Sequence, residues 1–464
     1  MGKARFFQIL LLLLALGLLF PIPPLAAAGG RDGDVAELKR KIEEMERQRR
    51  LEAEQFRRMI ELMEERDRRR QEEIEGLKER IEELESAPAP EREGEKMEKA
   101  AAVKEKLTPF KDRLRVYGDF RLRSELDTNR RGKEDPRFRE RIRGRLGAEY
   151  DIAENQLYVG ARVRTGDSDD PRSPHQSLDS DFESFEIALD MAYLLYKPSF
   201  APGLSLYGGK FAHPFRTKAV YNELVWDSDV QPEGFSASYA HTYNGLLDDV
   251  YLTAGQYILE REGSDISWLT VAQLAVSKSF GGNWKIVLAS GLYLYSNLTP
   301  GDSPTLARPP KNAGNATVDT DGDGQPDAFL SDFGILDSFL NIEYKGLPIP
   351  VVLTGQYFHN FGADIDEDDG FSVGVQVGKA SEPGQWKLYY QFQIVEQDSI
   401  FTPFSQDDFL LATNFLGHVG GITYRISKRV SLNLWTLIAK RDRTFATLTD
   451  ENQIRTRLDV NVKF

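Results

Sequence analysis

The sequence predicts an all-β transmembrane barrel of about 16 antiparallel strands, preceded by an α-helical coiled coil. From residue 112 to the C-terminus, polar and apolar side chains alternate with the period of two that is typical of strands. Many of these segments reach about ten residues, the length at which a tilted strand crosses a bilayer. The connections between them alternate between short turns and longer acidic loops, as in outer-membrane barrels.

The first 28 residues have the pattern of a secretory signal peptide. Lys3 and Arg5 give a positive start, an apolar run extends from Phe6 to Phe20, and the small residues of LAAA precede Gly29. The run is too short for a comfortable transmembrane helix, although an uncleaved anchor is the alternative. We therefore expect an exported protein that begins at residue 29.

Residues 29–86 predict a coiled coil, because apolar side chains recur at alternating steps of three and four residues. The clearest heptad positions are Val35, Leu38, Ile42, Met45, Ile74, Leu77, Ile81 and Leu84. Asp67 and Arg70 fall at core positions, which weakens the middle, and a single solvated helix is the alternative reading. Residues 87–111 are rich in proline and charge, which is typical of a flexible linker.

Residues 112–464 form the predicted barrel domain. Strands are predicted near 114–126, 137–152, 156–166, 184–197, 203–211, 234–241, 248–259, 267–279, 283–295, 332–345, 349–359, 369–379, 384–396, 414–427, 430–440 and 453–463. Short turns mostly follow the even-numbered strands, and these turns are expected to be periplasmic. The final strand has one apolar face that ends on the terminal Phe464.

Composition limits the chemistry of the chain. The net charge is −14, so nucleic acid is not an expected partner. The absence of cysteine excludes disulfides and thiolate metal sites. The five histidines stand alone, without the spacing of metal ligands. No serine–histidine pairing or clustered acid dyad has a recognisable catalytic spacing, so we predict that the protein is not an enzyme.

Arginines occupy every second position of the second strand, from Arg137 to Arg145, opposite Phe138, Ile142 and Leu146. In a barrel the apolar face contacts lipid and the arginines face the lumen. The outward Glu140 is tolerable only near the rim. With the neighbouring strands, the predicted pore-lining basic residues are Arg121, Arg123, Arg139, Arg141, Arg143, Arg145, Arg162 and Arg164. A salt-bridged wall without influence on transport is the alternative reading.

Several segments resemble the family of bacterial outer-membrane proteins called putative porins. They are AYLLYKP (192–198), LYGGKFAHPF (206–215), VWDSDVQPEG (225–234) and the opening strand YGDFRLRSE (117–125). The resemblance covers roughly residues 112–464. It implies a water-filled diffusion channel for small hydrophilic solutes and ions, embedded in outer-membrane lipid and commonly a homotrimer.

The coiled coil resembles the periplasmic stalks of some outer-membrane porins. A recognisable cell-wall-binding module is absent from it. The alternative function is therefore a structural tether, in which the coiled coil reaches the cell wall or a periplasmic partner and the barrel is only an anchor.

The loop from Ala212 to Glu233 is the third long loop, and its equivalent in general porins folds inward and narrows the channel. It carries Glu223, Asp227 and Asp229. We expect these carboxylates to approach the arginine wall and to create a transverse field in the lumen. Because the arginines outnumber the acids, the constriction is expected to have a mild anion preference.

A structural calcium ion is the only cofactor that the sequence predicts. The segment DTDGDGQPD places Asp319, Asp321, Asp323, Gln325 and Asp327 in the order of an EF-hand loop, with Gly324 at the sixth position. The twelfth position is Leu330 instead of the usual bidentate glutamate. An ordinary acidic turn is the alternative.

Overall fold

The computed structural model describes residues 112–129, 135–179, 181–243, 245–262, 264–298, 306–320, 322–444 and 451–464. The predicted signal peptide, coiled coil and linker lie outside the described residues. No described helix is long and apolar enough to cross a membrane.

Sixteen antiparallel strands form one closed sheet. They are β1 (Leu114–Thr128), β2 (Arg137–Asp151), β3 (Leu157–Thr165), β4 (Ile187–Tyr196), β5 (Leu204–Lys210), β6 (Glu233–Thr242), β7 (Asp249–Glu262), β8 (Asp265–Phe280), β9 (Trp284–Ser296), β10 (Gly334–Tyr344), β11 (Val351–Asn360), β12 (Asp369–Gly378), β13 (Trp386–Val395), β14 (Phe415–Arg425), β15 (Val430–Arg441) and β16 (Gln453–Lys463). Each strand pairs with its neighbours in sequence, and β1 pairs with β16, which closes the barrel. Closure satisfies the backbone groups that lipid cannot.

The predicted barrel of sixteen antiparallel strands is confirmed, and every predicted strand overlaps an observed one. Four short elements lie in the long loops of the described residues. Gln176–Ser177 pairs with β2, Thr317–Val318 pairs with Ala328–Phe329, and Thr402–Phe404 forms a 3₁₀ turn. The loop between β7 and β8 is the exception to the loop pattern, since only two residues separate these strands.

Alternation along β2 separates the two faces of the wall. Phe138 and Leu146 are 59% and 52% exposed, whereas Arg141 and Arg143 are 9% and 6% exposed. Because successive side chains point to opposite faces, the arginines lie inside the barrel. Glu140 shares the outer face with Phe138 near the long-loop end of β2, and its carboxylate accepts from Ser124 Oγ of β1.

Exposed aromatic side chains mark the short-turn end of the barrel. They are Tyr196, Phe280, Trp284, Trp386, Tyr424 and Phe464. Each lies at the end of a strand that meets a short turn or at the chain terminus. Amphipathic aromatic rings prefer the interface between lipid and water, so this row fits one girdle of a membrane-spanning band.

The inside of the barrel is divided between an apolar part and a charged part. The apolar part joins inward side chains of β7–β11 and β13–β15, such as Leu269, Phe358 and Trp435, to loop residues such as Leu224 and Phe401 in one buried cluster. The charged part lies along β16, β1, β2 and β3. Apolar loop residues therefore pack against inward strand residues and form a core inside the barrel.

Candidate functional site

The charged wall begins with like charges directly opposite each other. The register places Arg121 opposite Arg143 and Arg123 opposite Arg141 on β1 and β2. Such pairs are unfavourable unless carboxylates lie between them. Asp119 of β1 supplies one carboxylate, which lies 2.7 Å from the guanidinium groups of both Arg143 and Arg145.

The strand that closes the barrel supplies further partners. Asp459 of β16 forms a bidentate pair with Arg123 at 2.7 and 3.2 Å. Glu125 of β1 is fully buried and contacts Arg457 of β16 at 2.6 Å and Arg139 of β2. Acids and arginines thus alternate across β16, β1 and β2, which reduces the repulsion within the wall.

Other arginines of the wall pair in the same way. Asp127 accepts from Arg137 and Arg455, and Asp190 of β4 lies between Arg162 and Arg164. Most of the predicted pore-lining arginines therefore have a carboxylate partner, and the wall is closer to neutral than the arginine pattern alone suggests.

Arg121 and Arg141 have no carboxylate within ion-pair distance among the described residues. Arg121 Nε donates to Asn461 Oδ1 at 2.6 Å, and its Nη1 lies 3.4 Å from His175 Nε2. Arg141 Nη2 donates to Ser173 Oγ and to the carbonyl of His175, both at 3.0 Å. These two arginines therefore hold the loop between β3 and β4 against the inner wall.

The loop between β5 and β6, residues 211–232, crosses the lumen, and we call it the constriction loop. The backbone N–H of Arg216 donates to Gln273 of β8 at 2.7 Å. Lys218 Nζ donates to Ser372 of β12 and Gln391 of β13 at 2.6 and 2.8 Å. Farther along, Asp229 contacts β2. Because these strands lie on different sides of the barrel, the loop spans its interior.

The structure separates the three predicted acids of the constriction loop. Asp229 reaches the wall and lies 3.4 Å from Arg143 and 2.7 Å from Arg145. Glu223 instead accepts from the N–H and hydroxyl of Ser228, and Asp227 accepts from the N–H of Asp229. Contact with the arginine wall is therefore made by one of the three.

The electrostatic environments of these acids differ. Burial opposes the charged form of Asp229, but Arg143 and Arg145 hold its pKa below the usual value. For Glu223, burial and the nearby Asp408 raise the pKa to about 8. Burial, followed by Glu223, also raises the pKa of Asp227. At neutral pH the loop thus carries less negative charge than its composition suggests.

Two further acids of the lumen were not identified from the sequence. Asp407 and Asp408 lie in the loop between β13 and β14, and Asp408 pairs with Arg457. Burial raises the pKa of Asp407. The signal that could have indicated an inward loop is the apolar content of its segment IFTPFSQDDFLL, which is unusual for a solvent-exposed loop.

Two of the cavities that described residues form inside the barrel reach toward its opposite ends. One has a volume of about 380 Å³ and reaches toward the short-turn end, where Arg425 and Lys463 line it; we call it the turn-end cavity. The other, of about 250 Å³, reaches toward the long-loop end, where Lys210 and Glu233 line it; we call it the loop-end cavity. The constriction loop contributes side chains to both.

The predicted calcium loop joins two short paired strands in the loop between β9 and β10. Asp319 accepts from the N–H groups of Gly322 and Gly324 at 2.7 and 2.8 Å, and Asp323 accepts from Gln325 N–H. Asp327 accepts from the N–H of Thr320, and Asp321 lies outside the described residues. These bonds stabilise the turn, and the calcium site stays a prediction.

A family model matches part of the chain. Residues 127–332 match the model of the family described as "Putative porin". No curated protein matches the chain by sequence.

Solved structures align with about three quarters of this chain, and OprB is similar in fold. OprB of Pseudomonas putida has a TM-score of 0.51 and 12% identity, over 78% of this chain and 96% of OprB. OmpF of Salmonella typhi has a TM-score of 0.45 and 12% identity, over 76% and 97%. OmpT of Vibrio cholerae, described as an outer membrane protein in trimer form, has a TM-score of 0.43 and 13% identity, over 76% and 99%.

Proposed function

We propose that this protein is an outer-membrane porin, a passive diffusion channel for small hydrophilic solutes and ions. The observation that carries the proposal is the charged turn-end cavity inside a closed barrel, because charged side chains around an aqueous space favour hydrophilic solutes. The family match over residues 127–332 supports the same function.

The charges around the turn-end cavity favour a mild anion preference. Seven basic side chains line it: Arg121, Arg123, Arg143, Arg172, Lys387, Arg425 and Lys463. Six acidic side chains oppose them: Glu223, Asp227, Asp229, Asp407, Asp408 and Asp459. Because burial raises the pKa of Glu223, Asp227 and Asp407, the balance at neutral pH is positive.

The test is reversal potential in planar bilayers under a salt gradient. We expect the wild-type protein to conduct with a mild anion preference and Arg121→Gln to move the reversal potential toward cation preference. Arg121 is the suitable residue because its hydrogen-bond partners are the side chains of Asn461 and His175, so the substitution breaks no direct ion pair among the described residues. The shift should be larger at low salt, where screening is weak.

The matched control is Arg443→Gln, which also removes one arginine but at an exposed site paired with Glu367. We expect little change in its reversal potential. A wild-type protein that never conducts would reject the channel, and equal shifts in the two variants would reject a role for the lumen charge.

We further propose that residues 1–28 are a cleaved signal peptide and that residues 29–86 form a coiled-coil stalk in the periplasm. The heptad pattern supports association of parallel chains, and the porin resemblance supports a homotrimer. A stalk of this kind fits a structural tether to the cell wall as a second function, with the barrel as its anchor.

A further inference from the structure

The two cavities share one described lining residue, Arg172 of the loop between β3 and β4. On the constriction loop, Asp227 and Asp229 line the turn-end cavity, whereas Trp226 and Val230 line the loop-end cavity. Arg172 and this part of the constriction loop therefore lie between the two cavities, and a direct route from one to the other would lead past them. We call this junction the neck.

Arg172 connects three loops at the neck. Its Nη1 donates to the carbonyl of Thr402 at 3.0 Å, and its Nη2 donates to the carbonyl of Pro310 at 3.3 Å. Its Nε lies 3.3 Å from Asp170 Oδ1 within its own loop. The side chain is 7% exposed, and these contacts hold its guanidinium group in place.

Arg172 could form stronger hydrogen bonds with an anion than it forms with its two carbonyl acceptors. Two of its three acceptors are neutral backbone carbonyls. A carboxylate or phosphate forms shorter, charge-assisted bonds with a guanidinium and can bind two of its N–H groups at once. An anion that reaches the neck can therefore compete with the carbonyls of Thr402 and Pro310.

We propose that Arg172 is the specificity-determining residue of the neck. It favours entry of small oxyanions from one cavity into the other, and its bonds to Thr402 and Pro310 keep the neck narrow between passages. This inference rests on the proposed porin function and adds to it the residue and the class of solute.

The first test compares Arg172→Gln, Arg172→Lys and the control Arg425→Gln, which lies only on the turn-end cavity. We expect Arg172→Gln to lower the anion-to-cation permeability ratio by up to about 30-fold, because losing one unit charge about 4 Å from an ion in water changes the permeability of an anion and of a cation about fivefold each, in opposite directions. The shorter side chain should also raise single-channel conductance. Arg172→Lys should keep the charge preference, while Arg425→Gln should change it less.

The second test uses inorganic phosphate as the probe. Phosphate added to the long-loop side should reduce the chloride current of the wild-type channel by occupying Arg172, and the reduction should disappear in Arg172→Gln. A change in gel migration on boiling, if retained, shows that each variant is a folded barrel.

The outcomes separate the two proposals. A wild-type protein without conductance would overturn the porin function and this inference with it. A conducting wild type overturns only the inference if Arg172→Gln and Arg425→Gln shift the permeability ratio equally, or if phosphate reduces the current of Arg172→Gln as it does that of the wild type.

Discussion

Glu125 is a fully buried acid of the inner wall that lies between Arg139 and Arg457. Removing one member of a buried ion pair leaves an uncompensated charge. We expect Glu125→Ala to lower the free energy of unfolding by about 3–5 kcal/mol. Urea unfolding of the barrel in lipid vesicles measures the loss.

The control for this variant is Glu140→Ala on the outer face of β2, where the Glu140 carboxylate accepts from the hydroxyl of Ser124. We expect Glu140→Ala to change the free energy of unfolding by no more than about 0.5 kcal/mol, the range for substitutions away from buried networks. Equal losses in both variants would contradict the importance of the buried acid.

Glu223 gives the lumen a dependence on pH. Burial and Asp408 raise its pKa to about 8, so the carboxyl is mostly protonated at neutral pH and becomes negative only as the pH rises through that value. We expect the reversal potential to move toward cation preference when the pH rises from about 7 to about 9. Reversal potentials measured across this range test the expectation.

Glu223→Gln is the control because the glutamine side chain cannot ionise. Its reversal potential should change less over the same pH range. Asp227, Asp229, Asp407 and Asp408 line the same cavity and remain in the variant. A pH response equal to that of the wild type would assign the titration to another group, such as Asp227 or Asp407, whose pKa burial also raises.

At the scale of an element, the hairpin that carries DTDGDGQPD is expected to bind calcium. Its carboxylates follow the order of ligands in an EF-hand loop, and extracellular sites of this chemistry bind with a Kd of roughly 10⁻⁴–10⁻³ M. We expect calorimetry to detect binding by the intact barrel and Asp321→Ala to weaken it. Asp366→Ala, in the acidic loop between β11 and β12, should have no effect; loss of binding in that variant instead would contradict the assignment.

At the scale of the whole molecule, the barrel and the predicted stalk should be separable. The sheet closes through β1 and β16, so we expect protein lacking residues 29–110 to insert and conduct as the full chain does. A peptide of residues 31–86 should be helical and should associate. Circular dichroism and sedimentation measure both properties, and a monomeric peptide at high concentration would remove the stalk from assembly.

The same deletion tests the tether. Cells whose protein lacks only the stalk should shed outer membrane if the coiled coil reaches the cell wall. Normal membrane retention with normal conductance would leave the channel as the remaining function.

The sequence by itself determined the number of strands and their order. For the first three strands it also determined which side chains face lipid and which face the lumen. A period of two separates Phe138 and Leu146 from Arg141 and Arg143 without any knowledge of distant contacts. An even number of strands with long loops at one end also favours closure, which the pairing of β1 with β16 confirms. These features depend on local geometry, so a local pattern records them.

Only the tertiary structure decided what fills the lumen. The inward position of Asp407 and Asp408, the partners of Arg172 and the separation of Asp229 from Glu223 depend on which loops meet inside the closed sheet. Loop residues have no periodicity, and their contacts join positions far apart in the chain. The carboxylates that neutralise the arginines likewise come from distant strands, as Asp459 does for Arg123, because closure of the barrel brings β16 beside β1.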